Sequence, residues 1–145
     1  MTLVDANVLL YAINASSPQH GVAKAWLDEA LSSDERVGVP SLSLLAFVRI
    51  ATHPAVFPAP LRTDQALAVV RAWCARPNVV QPEPSSGFVD TFARVLDAAR
   101  AHGGFVNDAY LAALAIEYGA KVVTFDRDFA RFDGVAMMRP DGPRG

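Results

Sequence analysis

Thr2-Leu3-Val4-Asp5-Ala6-Asn7-Val8-Leu9-Leu10-Tyr11-Ala12 is the stretch that decides the fold. Residues 2–6 read as a short apolar strand and residues 7–12 as the start of a helix, with Asp5 at the junction. Near the other end, Lys121-Val122-Val123-Thr124-Phe125-Asp126-Arg127-Asp128 repeats the pattern. Residues 121–125 form the clearest strand of the chain, and it delivers a carboxylate as it ends, with Asp128 following. Between the two stretches, Asp108 opens an almost wholly apolar segment, residues 109–116, that reads as a helix closed by Gly119. Soluble domains rarely put carboxylates at the ends of buried elements, because desolvating an unpaired charge is costly. If these places converge, mutual repulsion raises at least one carboxyl pKa unless a divalent cation holds the group ionised. The economical reading is a Mg²⁺ or Mn²⁺ site built from oxygen ligands.

Outward from these stretches, helices and strands alternate. Ser17-Pro18 marks a helix start, with Ser17 as cap, Pro18 at the first helical position, and Val22, Trp26, Leu27 and Leu31 near helical spacing. Residues 36–39, ended by Pro40, suit a second strand, and residues 41–52 a helix stopped by His53-Pro54. The proline-containing residues 55–61 are a loop, and Thr63-Asp64 caps a helix carrying Ala66, Leu67, Val70, Trp73 and Cys74. Residues 78–81 are a third strand candidate and residues 86–101 a helix with Phe88, Phe92, Val95 and Leu96 on one side. Gly103-Gly104 is a turn, and residues 136–138 suit a last edge strand. The pattern predicts an α/β fold of three layers, a small parallel sheet with helices on both faces. One domain over residues 1–140 and a disordered tail over residues 141–145 complete the organisation. Ligands of such sheets gather at the carboxyl ends of the strands, where Asp5 and Asp126 both fall.

Bulk properties exclude several classes. At 145 residues the chain is about one domain, and 52% hydrophobic residues with a mean hydropathy of +0.21 exclude a chain dominated by disorder. No apolar run is long enough for a transmembrane helix, and no basic region precedes the first one as in a signal peptide. The single cysteine, Cys74, allows no internal disulfide and reads as a small core residue, consistent with a reducing compartment. A formal charge of −2 does not advertise a polyanion binder. Yet 11 of the 13 basic residues are arginines, the side chain best suited to phosphate, and a metal would mask the clustered acids.

Each acid also has a plainer explanation. Asp108 follows Asn107, a good N-cap, and a first-turn aspartate is favoured by the helix dipole alone. Asp5 with Asn7 is compatible with an Asx-turn, and Asp126 and Asp128 with a capped turn paired locally to Arg127 and Arg131. Thr124 adds a hydroxyl that either orients a water or satisfies a backbone group. Other chemistries fit worse. His20, His53 and His102 lack zinc spacing, and no Gly-rich phosphate loop or nucleophile elbow is present. Trp26 and Trp73 read as core or dimer-contact residues.

Taken together, Leu-Val-Asp-Ala-Asn-Val-Leu-Leu-Tyr-Ala at 3–12, Asn-Asp-Ala-Tyr-Leu-Ala-Ala-Leu-Ala at 107–115 and Val-Thr-Phe-Asp-Arg-Asp-Phe-Ala-Arg-Phe at 123–132 resemble the PIN domain. More narrowly they resemble the VapC ribonuclease toxins of bacterial VapBC toxin–antitoxin pairs. Ser-Leu-Leu-Ala-Phe-Val-Arg-Ile-Ala-Thr-His-Pro at 43–54 is similar to a mycobacterial-type branch of that group. The resemblance spans nearly the whole chain. It implies a Mg²⁺- or Mn²⁺-dependent endoribonuclease that uses a metal-activated water, a homodimer, a VapB-like antitoxin partner, tRNA or rRNA among the possible substrates, and a cytoplasmic location. By motif position, Asp5, Asp108 and Asp126 take the metal roles, Asp128 stands beside them as a further catalytic carboxylate, and Asn7 and Thr124 support the site. Arg49, Arg127 and Arg131 are candidates for phosphate contacts.

One position departs from the family. Members commonly carry a glutamate three residues before the arginine of the second acidic motif; that arginine is Arg49 here, and the position is Ala46. A missing ligand weakens metal affinity or leaves a place for water, which Mg²⁺ retains readily. It also opens a second hypothesis, a catalytically weak PIN-domain binding module whose acidic rim receives an antitoxin arginine. A third, an aspartyl-phosphate hydrolase suggested by Asp5-Ala6-Asn7, lacks the downstream lysine such an enzyme needs.

Overall fold

The computed structural model describes residues 1–142. Its elements run β1 (Thr2–Val4), α1 (Ala6–Ile13), α2 (His20–Leu31), β2 (Val37–Gly38), α3 (Ser41–Ala51), α4 (Thr63–Cys74), β3 (Val79–Val80), α5 (Phe88–Ala99), α6 (Phe105–Tyr118), β4 (Lys121–Val123), a 3₁₀ turn (Arg127–Arg131) and β5 (Met137–Met138). The strands form one five-stranded sheet, order β3-β2-β1-β4-β5, parallel throughout. The parallel α/β arrangement read from the sequence is the one observed.

Strand alternation sorts the side chains into two cores. Leu3 and Val122 face a core built with Phe88 and Val95 of α5 and the apolar run of α6. Val4 and Val123 face the other, built with Val8 and Leu9 of α1, Leu27 of α2, Phe47 of α3 and Trp73 of α4. Two helices thus cover one face of the sheet and four the other. The apolar run of α6 is buried from Leu111 to Ala115, as expected for a helix at the centre of a core. Among the described residues, no helix is long and apolar enough to cross a membrane.

The chain leaves β1 for β2 and β3 on one side, then returns to place β4 on the other. The switch in direction lies between β1 and β4, and a crevice opens beyond their carboxyl ends. Asp5 and Thr124 are the first residues past those ends.

Several boundaries shift from the sequence reading. Ala6 belongs to α1, because Asp5 leaves the sheet and its side chain caps the helix by accepting from the Ala6 N–H at 2.7 Å. Residues 124 and 125 leave β4 for the same kind of corner. Helix α2 begins at His20, two residues beyond Pro18, while the Ser17 hydroxyl accepts from the Gln19 N–H at 3.2 Å. Helix α4 takes Arg62 as its N-cap position, not Thr63 or Asp64: the Arg62 N–H donates to the Gln65 side chain at 2.9 Å. Helix α6 begins at Phe105, directly after the glycine pair, with Gly103 at φ +57 reversing the chain. Asn107 is therefore no cap, and Asp108 lies at the fourth helical position rather than opening the helix. Trp73 is buried in the core, while Trp26 is only partly covered. Of the expected tail, Asp141 and Gly142 lie in a turn in which the Gly142 N–H donates to the Arg139 carbonyl at 3.1 Å. The rest of that expectation, residues 143–145, lies outside the described residues.

Gly38 shows how tightly the sheet centre is packed. A Cβ at this position would meet Leu3 Cδ2 at 2.4 Å. Gly38→Ala is expected to lower stability by about 1–3 kcal/mol, the usual cost of overpacking a filled core. Urea unfolding measures it, and an unchanged midpoint would show that the sheet yields freely there.

Candidate active site

Two chain corners meet beyond β1 and β4. At the first, Asp5 caps α1, and Asn7 sits two residues further on. At the second, Thr124 follows β4, and its side chain is wholly buried. The Thr124 hydroxyl donates to Asp5 Oδ2 at 2.8 Å and accepts from the Asp126 N–H at 3.0 Å. Asn7 Nδ2 donates to that same Thr124 oxygen at 3.1 Å, while Asn7 Oδ1 accepts from the Phe125 N–H at 3.2 Å. Asp126 Oδ1 accepts from the Asp128 N–H at 2.9 Å and so starts the 3₁₀ turn. Asp5 thus caps α1 through the adjacent Ala6 N–H rather than by the expected Asx-turn, while the capped turn expected at Asp126 is present. These roles do not exhaust the two groups, since each carboxylate keeps acceptor capacity free.

Asp108 approaches from α6. It lines a cavity of about 180 Å³ together with Asp5, Asn107, Ser43 and Ala46. Ser43 and Ala46 lie one turn apart on one face of α3. The buried Ser43 hydroxyl donates to the Val4 carbonyl at 2.7 Å and ties α3 to the end of β1. A larger groove of about 650 Å³, lined by Trp26, Arg36, Lys121 and Met138 among others, runs along α2. The convergent carboxylates single out the smaller cavity as the chemical site.

Electrostatics join the acids into one unit. Burial pushes the Asp5 carboxyl up from its ordinary value, against the hydrogen bonds from Thr124 and Ala6, and the charge of Asp126 pushes it further. Asp108 is pushed up to about 6, first by burial and then by the charges of Asp5 and Asp126, with Arg131 opposing and Asp128 adding a smaller push. The carboxylates sense one another without being drawn to one point. Among the described residues, no three carboxylate, imidazole or thiol side chains form a group that would hold a metal ion as it stands.

The other sequence candidates take different places. Asp128 is exposed at the edge of the cluster. Arg49 is exposed on α3, three residues beyond Ala46, and is not among the residues lining the cavity. Arg127 is exposed, and its charge is felt by Asp141. Arg131, by contrast, lies over the Phe105 ring, its guanidinium carbon 3.5 Å from the ring centroid. The expected local pairs of Arg127 and Arg131 with carboxylates are absent among the described residues; Arg131 Nε donates to the Asp128 carbonyl at 3.2 Å instead.

Sequence reasoning missed two contributors. Ser43 reads as an ordinary polar residue of a helix, and its only signal is its spacing from Ala46. Arg139 lies in a segment that reads as strand end and tail. Its guanidinium pairs with both oxygens of Asp141 at 2.9 Å, and one amino group donates to the Phe125 carbonyl at 2.5 Å, immediately before Asp126.

Comparison with known proteins is decisive for the family: the PIN domain matches residues 2–135. The chain belongs to the PIN-domain family. This PIN domain is 46% identical over 140 residues to Ribonuclease VapC37 of Mycobacterium tuberculosis, covering 97% of each chain. Its fold matches VapBC2 of Rickettsia felis, solved bound to a DNA fragment from its promoter, with a TM-score of 0.68 at 17% identity, over 95% of this chain and 97% of that one. It also matches VapC20 of Mycobacterium tuberculosis, described as a sarcin–ricin loop cleaving toxin, with a TM-score of 0.66 at 20% identity, over 94% and 99% of the two chains. At such identities the two structures speak for the fold.

The raised Asp108 carboxyl makes a signed prediction for the metal-free PIN domain. Its folded pKa of about 6 exceeds the ordinary 3.8, so the folded chain binds the proton more tightly than the unfolded chain. The group therefore imposes no cost below about pH 4 and a growing one as pH rises through 6. In EDTA, Asp108→Asn is expected to melt at a higher temperature than the parent at neutral pH, with the gain fading toward pH 4. Calorimetric scans across this range check it, and equal melting temperatures at neutral pH would contradict the coupling.

Proposed function

We propose that this PIN domain is a metal-dependent endoribonuclease, the toxin half of a VapBC-type pair. The observation that carries the reading is the junction of Asp5, Asp108 and Asp126 at the sheet's switch point, where burial and the neighbouring charges raise the carboxyls of Asp5 and Asp108. The 46% identity to a protein named a ribonuclease supports it over almost the whole chain. RNA, with tRNA or rRNA as the classes to test, is the substrate, which puts the activity in the cytoplasm. A VapB-like antitoxin restrains the enzyme, and the working unit is a homodimer.

The donor set suits Mg²⁺ or Mn²⁺. It consists of carboxylate oxygens and a hydroxyl, with no thiolate or imidazole to favour a softer ion. Because the carboxylates are not preassembled around one point, retained waters would complete the coordination. When bound, such a cation supplies positive charge at the scissile phosphate and a water of lowered pKa as nucleophile. The protein's own groups do the arranging. Thr124 and the Ala6 N–H hold both oxygens of Asp5, and Asn7 locks the Asp5 corner to the Asp126 corner. Asp108, protonated part of the time near pH 6, must release its proton to serve as a ligand. The hydroxyls at this place, Ser43 and Thr124, are engaged by the Val4 carbonyl and Asp5, so hydrolysis by water is the economical route.

A second reading has its own support. Ala46 lines the cavity, at the position where the family resemblance implies a glutamate. With one acid fewer, the rim could serve chiefly to receive an arginine from an antitoxin.

Two measurements separate them. Purified protein with Mn²⁺ is expected to cut structured RNA, and Asp5→Asn to reduce the rate by about 10³-fold or more, the scale of losing a ligand from a catalytic metal site. Cleavage persisting in EDTA would refute metal dependence. Ala46→Glu is expected to tighten Mn²⁺ binding, read by calorimetry, by about tenfold, the lower end of what ligand-shell changes do. If neither the parent nor this variant binds Mn²⁺ at millimolar concentration, the binding-module reading stands.

A further inference from the structure

The geometry points to Arg131 as the side chain that grips a backbone phosphate of the RNA beside the scissile linkage. The inference rests on the ribonuclease reading and adds how the strand is held. An acidic cleft repels a polyanion, so a guanidinium close to the acids but not consumed by them is what such a cleft needs. Arg131 has this character. Its Nε is anchored to the Asp128 carbonyl at 3.2 Å and its guanidinium carbon lies 3.5 Å from the Phe105 ring centroid. Both anchors belong to the site's own elements: Asp128 to the 3₁₀ turn, and Phe105 to the turn of α6 that carries Asp108.

The anchors fix the guanidinium while leaving both terminal amino groups without a hydrogen-bond partner among the described residues. Other arginines here show the contrast. Arg139 and Arg62 each give a two-pronged pair to a neighbouring aspartate, Asp141 and Asp64. Arg131 has no carboxylate at ion-pair distance among the described residues. A two-pronged donor held rigidly from behind fits the two free oxygens of a phosphodiester, which a lysine cannot match. The aromatic seat lowers the entropy lost on binding, since the side chain is already ordered. Of the arginines, Arg131 alone has its charge registering at Asp108.

The test uses full-length protein in EDTA, so that binding is read without turnover, with a fluorescein-labelled single-stranded oligoribonucleotide as probe. Arg131→Ala is expected to weaken binding by about tenfold and to lower the slope of log affinity against log salt by about one phosphate contact. Arg131→Lys should keep the slope but recover only part of the affinity, and Phe105→Leu should show a smaller loss at unchanged slope. With Mn²⁺ added, Arg131→Ala should raise KM far more than it lowers kcat. If Arg131 merely balances Asp108, its removal leaves the salt slope intact and moves the acidic limb of the pH–rate profile upward; that result overturns the inference. Binding that behaves as expected without any cleavage by the parent sinks the ribonuclease reading instead. A parent that binds no probe sinks both.

Discussion

A single buried hydroxyl holds the site together. Thr124 donates to Asp5, accepts from Asn7, and accepts from the backbone N–H of Asp126. It thereby joins the corner after β1 to the corner after β4, two segments that the parallel pairing of β1 with β4 brings side by side. A hydroxyl can do this because it donates once and accepts twice. Valine, nearly the same shape, would remove the shortest hydrogen bond to Asp5 Oδ2 and the partner of the Asp126 N–H, each at a cost of about 1–3 kcal/mol.

The same junction explains why charged groups are tolerated in so apolar a molecule. The sheet is covered on both faces, so its ends are the only places where a polar cleft can open. The direction switch between β1 and β4 leaves room there, and α6 brings Asp108 to the opening. Desolvation and repulsion leave Asp5 and Asp108 poorly disposed to ionise in the free protein. A site strained in that sense is one that gains from positive charge, whether a cation or a partner's guanidinium.

Much of this was legible because strands and helices announce themselves by period. The apolar runs before Asp5 and Asp126 are short, β-branched and abruptly ended, so both the sheet and its acidic rim could be read. The position of Asp108 was displaced because Asn107 is a good cap in isolation, whereas Gly103-Gly104 lets the helix begin three residues earlier. Ser43 carried no local signal, since its role is a hydrogen bond to Val4, thirty-nine residues away in sequence. The choice among arginines was also out of reach. Arg127 and Arg131 differ by their phase on a five-residue 3₁₀ turn, and that phase depends on how Phe129 seats in the core. Arg139 was hidden by the proline and glycine around it, which read as a loose end.

That last residue has a practical consequence. Strand β5 is one of the two edge strands of the sheet, and just past it Arg139 clasps the carbonyl directly ahead of Asp126. The segment just after β5 is thus tied to the acidic cleft. A fluorescent protein or affinity handle fused there would load the very corner that orients Asp126, whereas the amino-terminal residue, Met1, reaches the sheet at the opposite ends of the strands. Labels belong on the front of this molecule, not its back.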